Sequence, residues 1–412
     1  MQRWLMMMLA IVPALAWAQP VPDAVAVPEP TAQALAYYDR RILLWLLGLA
    51  LGVAVPALVL FSGAGARIAA LAQRIGRRWV LALWIFLALY ALLTWLVEMP
   101  LAYFGEFFTE HEFGLSNQSL GKWLQDSVVG LAVGIVVSCL VLALLYLAIR
   151  RSPRRWWLWA GFGTLPVIVL LILVTPIWIE PLFNRFGPMQ DKALEARILA
   201  LADRAGIEGA RVFEVAKSED TKKLNAYVTG FAETKRIVLW DTLIKAMDSD
   251  QTAFVMGHEM GHYVLGHIWR TLLALTAASF FLFWATDRIA RWALARWSGR
   301  FGFTELSSPA SWPLLLLIFS VLIFALTPAL NLLSRYHERQ ADIFGLEITQ
   351  NNYAAATGFV RLQQENLGVP RPNPIVYLWW GSHPSLADRI EFANSYRPWA
   401  EGKPLQFGDE FK

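Results

Sequence analysis

The sequence predicts a mainly α-helical, polytopic membrane protein carrying one polar α+β domain that two transmembrane helices split in half. Three observations lead there. Of the 412 residues, 57% are hydrophobic and only 17% charged, with a mean hydropathy of +0.43, whereas soluble chains run at about 25% charged. Six apolar runs are long enough to cross a bilayer, which takes roughly 20 residues each. Two stretches of ordinary polar composition, 180–267 and 334–412, lie on either side of the last two runs.

Met1-Gln2-Arg3, an apolar stretch from Trp4 to Ala16 and the small-residue site Ala16-Trp17-Ala18 make residues 1–18 a signal peptide, with an uncleaved anchor as the competing reading. Residues 19–41 follow as a mature N-terminal segment, flexible over 19–36, where Pro, Ala and Val dominate. Residues 42–179 form a four-helix transmembrane region with runs at 42–62, 79–97, 128–149 and 157–179. The polar domain starts at 180–267, two further spans fill 268–333 as runs 268–286 and 313–333, and 334–412 completes the domain. Trp79, Trp156, Trp157, Trp178, Trp269 and Trp312 stand near the run ends, as interfacial aromatics do.

Because two spans separate the polar halves, both end on one side of the membrane and can build one site. Short loops give the orientation. The 63–78 loop carries Arg67, Arg74, Arg77 and Arg78; the 150–156 loop carries Arg150, Arg151, Arg154 and Arg155; the 287–312 loop carries Arg288, Arg291, Arg296 and Arg300. All three fall on one face, and the 98–127 loop on the other is acidic. The positive-inside bias then makes the arginine face cytoplasmic and the polar domain extracytoplasmic, in a bacterial-type inner membrane. The net charge of +4 is spent in these loops, and no basic patch for nucleic acid stands out. The single cysteine, Cys139, excludes an intrachain disulfide and a cysteine-ligated metal.

His258-Glu259-Met260-Gly261-His262 carries the chemistry. On a helix, residues four apart share a face, so both histidines can offer ring nitrogens to one metal ion, with Glu259 beside the site as general base. Ser249 or Asp250 can cap that helix. A catalytic zinc takes three protein ligands and keeps one position open. Directly after the sixth run, Glu338 and Asp342 are four apart, so Glu338 can bind the metal and Asp342 can hold a histidine ring or pass a proton. The alternative is a plain helix-surface charge pattern of Arg335, Glu338, Arg339 and Asp342. Among the other histidines, His267 reads as a helix end at the interface, His111 as a loop residue, and His337 points away from Glu338. Segments 211–215, 224–231 and 235–240 read as strands, the last two forming a hairpin around Ala232-Glu233-Thr234.

The pentad and Ser334-Arg335-x-x-Glu338-x-x-Ala341-Asp342 occur together with Pro181-Leu182-Phe183-Asn184-Arg185-Phe186, Asn225-Ala226-Tyr227, Lys235-Arg236-Ile237-Val238-Leu239 and His383-Pro384 with Arg389. In this combination, over most of residues 40–395, the chain resembles the type I CaaX prenyl protease family, integral membrane zinc peptidases of the gluzincin group. The resemblance implies a zincin-like metallopeptidase domain, with Zn2+ held by His258, His262 and Glu338 and Glu259 as catalytic base. It also implies Asp342 as proton donor or ring-holding partner, and His383 and Arg389 as substrate or oxyanion contacts. Asn225, Ala226 and Tyr227 are the candidate strand edge along which an extended substrate would pair.

The implied partners are a peptide or protein substrate, lipid-modified or membrane-bound ones included, and membrane lipids. Two departures stand out. Eukaryotic members have seven spans, and a signal-like segment here replaces the first. Their catalytic side faces the cytosol, opposite to the side the arginine loops give, which points away from a prenylated cytosolic protein as natural substrate. A general quality-control peptidase without CaaX preference would use the same residues. A zinc-stabilised scaffold without catalysis is the rival from another class. A transporter fits less well, because the ionisable residues gather outside the spans.

Overall fold

The structure, a computed structural model, describes residues 24–229 and 236–412. The signal-like segment 1–18 and the hairpin loop 232–234 lie outside the described residues. Residues 24–31, expected to be flexible, run extended and are tied down: Val25 and Asn394 exchange hydrogen bonds of 2.9 and 2.8 Å, and Gln363 donates to the Pro28 carbonyl. Thr31 then caps helix α1, Ala32–Phe61, by accepting from the Ala34 amide.

Six helices are long and apolar enough to cross a membrane. After α1 comes α2, Ala64–Gly76, a short helix where the 63–78 loop was expected. The next span, α3 at Trp79–Ala102, does not stop at the expected acidic loop. Pro100 removes an amide donor, the chain widens into a π turn at Tyr103–Phe108, and α4, Thr109–Glu112, continues it. Glu110 and Glu112 at the end of this extension are paired. Tyr37 donates to Glu110 at 2.7 Å, Lys223 lies 2.8 Å from the same carboxylate, and Arg40 holds Glu112 at 2.9 Å. Helices α5, Leu120–Arg151, and α6, Trp156–Val174, complete the first four spans. Leu58, Leu140 and Phe162 point outward, an arrangement that water penalises and lipid tails do not. Tyr146, Phe86 and Trp156 fill the core between the spans.

The polar domain opens with β1, Phe186–Pro188, a strand the sequence reading missed, then α7, Lys192–Arg204, and β2, Arg211–Val215. Strands β3, Ala226–Thr229, and β4, Arg236–Trp240, pair antiparallel as the hairpin pattern requires, with Ala226 opposite Leu239. The sheet order is β1-β2-β4-β3, parallel between β2 and β4, so β3 is an edge. Helices α8, Asp241–Ala246, and α9, Ser249–Val264, lead to α10, His267–Phe301. The sixth span belongs to α11, Trp312–Thr349, which runs past the apolar segment into the domain. There α12, Asn352–Glu365, α13, Pro374–Trp380, and α14, Leu386–Ser395, close the chain around it.

α9 and the end of α11 lie between two cores. Ile237, Leu239, Met256, Met260 and Phe344 pack under the sheet; Phe254, Leu346, Phe359 and Ile390 pack against α12 and α14. At the far end of the bundle the arginine-rich loops meet. Arg291 donates to the Pro153 carbonyl, the Arg150 guanidinium sits 4.9 Å over the Trp79 ring, and α2 packs on the 309–311 turn.

Candidate active site

The cap of α9 is Asp248, one residue before Ser249 and two before Asp250, the caps expected from the sequence. The Asp248 carboxylate accepts from the amides of Asp250 and Gln251 at 2.9 and 2.8 Å, and the Gln251 side chain accepts from the Asp248 amide at 3.2 Å. This reciprocal box satisfies the orphan donors of the first turn and fixes where the pentad points.

Three glycines let α9 meet α11 closely. A Cβ at Gly257 would come within 2.9 Å of Ile348 Cγ2, one at Gly261 within 2.9 Å of Phe344 Cβ, and one at Gly345 within 2.9 Å of the His258 backbone nitrogen. Only glycine permits this approach. Gly257-x-x-x-Gly261 is the small-residue spacing that brings helices together, a signal overlooked in the sequence because the pentad overlaps it.

The close approach assembles the expected trio. His258 Nε2 and His262 Nε2 are 3.2 Å apart, and Glu338 lies 3.4 Å from the first through Oε2 and 3.3 Å from the second through Oε1. Bonds of about 2.0–2.1 Å to one tetrahedral ion set its ligands roughly 3.4 Å apart, so the triangle has the size of a metal site. Glu338 Oε2 is buried without a hydrogen-bond partner among the described residues. A buried carboxylate oxygen is costly when unsatisfied, and a cation would satisfy it. Two imidazoles and a carboxylate are also the donor types that suit zinc.

The electrostatics agree. Burial opposes a charge on His258, yet the Asp342 and Glu338 carboxylates beside it outweigh that and push the imidazole up to about 10. Surroundings that attract a proton this strongly also attract a metal cation, which would take the proton's place. Burial pushes the Glu259 carboxyl up, with His258 and His262 pulling the other way, a setting that suits a proton acceptor. Glu259 is half-buried next to the triangle.

The other candidates divide between the open and the closed side. Asp342 is 1% exposed and takes His258 Nδ1 at 2.9 Å, so its position suits holding the ring. Arg389, expected at substrate or oxyanion, stands instead behind His258. Its guanidinium forks onto Asp342 at 3.1 and 2.5 Å, over the Phe359 ring, because a buried carboxylate needs a compensating charge. His383 is on the open side, 56% exposed, with Nε2 at 3.3 Å from Glu338 Oε1. Asn225 is exposed just before β3, Ala226 is buried in the core under the sheet, and the Tyr227 hydroxyl donates to Glu180 at 3.2 Å. On its outer side β3 pairs with no further strand among the described residues.

His267 is at a helix end, the first residue of α10, but it is buried, with its Nδ1 3.1 Å from His262 Nδ1. His111 is in α4 rather than a loop, its ring between the carbonyls of Phe107 and Gln118. A cavity of about 560 Å³ opens from His262 and Glu338 along Val228, Leu272 and Leu330 between the spans.

Comparison with known proteins agrees with this geometry. Residues 188–397 match the model of peptidase family M48, and residues 18–185 match the model described as CAAX prenyl protease N-terminal, five membrane helices. A Bacillus subtilis (strain 168) protein named "Uncharacterized metalloprotease YhfN" is 39% identical over 75% of this chain and 72% of its own. "CAAX prenyl protease 1" of Saccharomyces cerevisiae is 30% identical over 74% of this chain and 70% of its own. The crystal structure of S. mikatae Ste24p superposes with a TM-score of 0.78 at 25% identity, covering 88% of each chain. Matched by family models from the first span to the end of α14, and so similar to these proteins, the chain belongs to peptidase family M48 and is a multi-pass membrane metallopeptidase.

Proposed function

We propose that the protein is a zinc endopeptidase cutting peptides delivered from or beside the membrane, with His258, His262 and Glu338 as ligands and Glu259 as base. The observation that carries it is the 3.2–3.4 Å donor triangle with Glu338 Oε2 left unsatisfied and Glu259 at its rim. When bound, zinc supplies Lewis-acid polarisation of the scissile carbonyl and a more acidic water. The Glu259 carboxylate accepts the proton of the attacking water and returns it to the leaving amine. Asp342 fixes the His258 ring, and Arg389 keeps Asp342 ionised in its buried position. His383, on the open side, donates to the developing oxyanion, a contact worth roughly 3 kcal/mol. The free edge of β3 binds an extended backbone, a grip tolerant of sequence.

The name of the Saccharomyces cerevisiae relative, CAAX prenyl protease 1, supports prenylated CaaX tails as one substrate class. The three arginine loops gathered at the end opposite the domain support a different one. By the positive-inside bias that end is cytoplasmic, the membrane a bacterial-type inner membrane, and the substrate an extracytoplasmic one, such as a damaged membrane protein.

The test is hydrolysis by purified protein in detergent, wild type against Glu259→Gln at matched zinc content. The peptides are a prenylated CaaX tail, its unprenylated twin and an unrelated unfolded sequence. Activity lost in the variant while zinc stays bound is the expected result, and the peptide ranking separates the two substrate classes. Equal activity in both proteins, or none in either with zinc bound, would remove the catalytic reading.

A further inference from the structure

His267 is outside the donor triangle, yet its ring is 3% exposed and lies against His262. Their Nδ1 atoms are 3.1 Å apart, and His267 Nε2 is 3.1 Å from Gln340 Oε1. A neutral imidazole has one donor nitrogen and one acceptor. Gln340 Oε1 can only accept, so His267 carries its proton on Nε2 and leaves Nδ1 as an acceptor. His262 must then carry its proton on Nδ1, which leaves the Nε2 lone pair aimed into the triangle. The reverse assignment would put a proton on His262 Nε2, between ligand atoms 3.2 and 3.3 Å away.

Two neighbours hold the relay in place. His337 stacks on His267 with ring centroids 4.4 Å apart and planes at 10°, and its Nδ1 is 3.4 Å from Thr271 Oγ1. Gly266, at φ 66°, breaks the helix between the two histidines. On an unbroken helix, residues five apart point about 140° away from each other; the turn through Gly266 brings His267 back against His262.

The geometry points to His267 as a positioning residue that fixes the tautomer and ring plane of His262, with Gln340 setting the direction of donation. The inference rests on reading His262 as a metal ligand. The two histidines are thus held differently: His258 by the Asp342 carboxylate, His262 by a neutral ring that orients it without adding negative charge.

The test measures zinc and cobalt(II) affinity of the full-length protein in detergent by competition with a coloured chelator, beside thermal unfolding of each metal-free protein. His267→Leu removes the acceptor and should weaken binding about 10- to 100-fold, the range seen when a ligand loses its outer partner. It should also shift the visible bands of the cobalt-loaded protein. His267→Asn returns an acceptor oxygen close to the Nδ1 position and should recover most of the affinity. Wild-type affinity in His267→Leu, or an equal loss in the Leu and Asn variants, would overturn the inference. If His267→Leu does not fold, Gln340→Leu decides. It frees His267 to adopt the other tautomer, so weakened metal binding supports the relay and unchanged binding overturns it. A wild type that binds neither ion overturns the ligand reading itself, and this inference with it.

Discussion

Replacing Gly345 with alanine tests whether the glycine-lined contact of α9 and α11 sets the metal site. The added Cβ would stand 2.9 Å from the His258 nitrogen, 3.2 Å from its Cα and 3.2 Å from Phe254 Cε2. Comfortable carbon contacts begin near 3.5 Å, and two of these three neighbours are backbone, so the helices must part by about half an ångström. Overpacking of this kind costs about 1–3 kcal/mol. The same movement stretches the 3.3 and 3.4 Å edges that join Glu338 to the histidines toward about 4 Å, past the roughly 3.4 Å a tetrahedral ion spans. If the whole strain is felt on binding, metal affinity falls about 5- to 150-fold, at 1.4 kcal/mol per tenfold. Chelator competition measures the affinity, and thermal unfolding of the metal-free protein measures the strain. Gly358→Ala on α12 is the control, since its Cβ would meet Gln251 Cβ at an ordinary 3.8 Å. Wild-type metal affinity and wild-type unfolding temperature in Gly345→Ala would refute the argument.

Three further outcomes are expected. Arg389→Met leaves the Asp342 carboxylate buried without its partner and should destabilise the protein by about 3–5 kcal/mol, read as a lowered unfolding temperature, with the Asp342→Asn, Arg389→Met pair costing less than the sum of the singles. Chelating the metal should lower the unfolding temperature, because a ligand at 1,000 times its Kd stabilises by about 4 kcal/mol, and Glu259→Gln should show the same drop, since Glu259 is not one of the proposed ligands. Asp241 gives a pH dependence. Burial opposes its charge, but hydrogen bonds from Lys245 and Ser218 more than offset that and hold its carboxyl below the ordinary 3.8. A depressed folded pKa stabilises above the unfolded value and is lost as pH falls through the folded one. The unfolding-temperature gap between wild type and Asp241→Asn should therefore be constant above about pH 5 and close below 3.8; a gap that widens in acid would contradict this.

The six spans could be read from the sequence because hydrocarbon demands a long apolar run and tolerates little else. Their ends could not. Glu110 and Glu112 look like loop residues until Tyr37, Lys223 and Arg40 are seen to meet them, and those partners are about 70 to 110 positions away. α2 was hidden for a related reason, since Arg67 and Arg74 within it and Arg77 and Arg78 just after it read as a topology signal and masked a 13-residue helix. At the site, spacing alone put His258, His262, Glu338 and Asp342 on usable faces, because i,i+4 geometry holds on any helix. Spacing says nothing about what lies across a helix break, so His267 was missed. Arg389 was assigned to the substrate because its role depends on Asp342, 47 residues earlier, whose burial only the fold reveals.

α11 is one 38-residue helix, about 57 Å long at 1.5 Å per residue, and Glu338 rides on the part that emerges from the membrane. The histidines ride on α9, joined to the fifth span at Gly266. The two sides of the donor triangle are thus each fastened to a different membrane-crossing rod. A bilayer that is too thick or too thin tilts such rods, and any change of tilt between them alters the distance across the triangle. On the proposed ligand set, the lipid around this protein would be a setting on the instrument: its thickness would tune how well three side chains close on one ion.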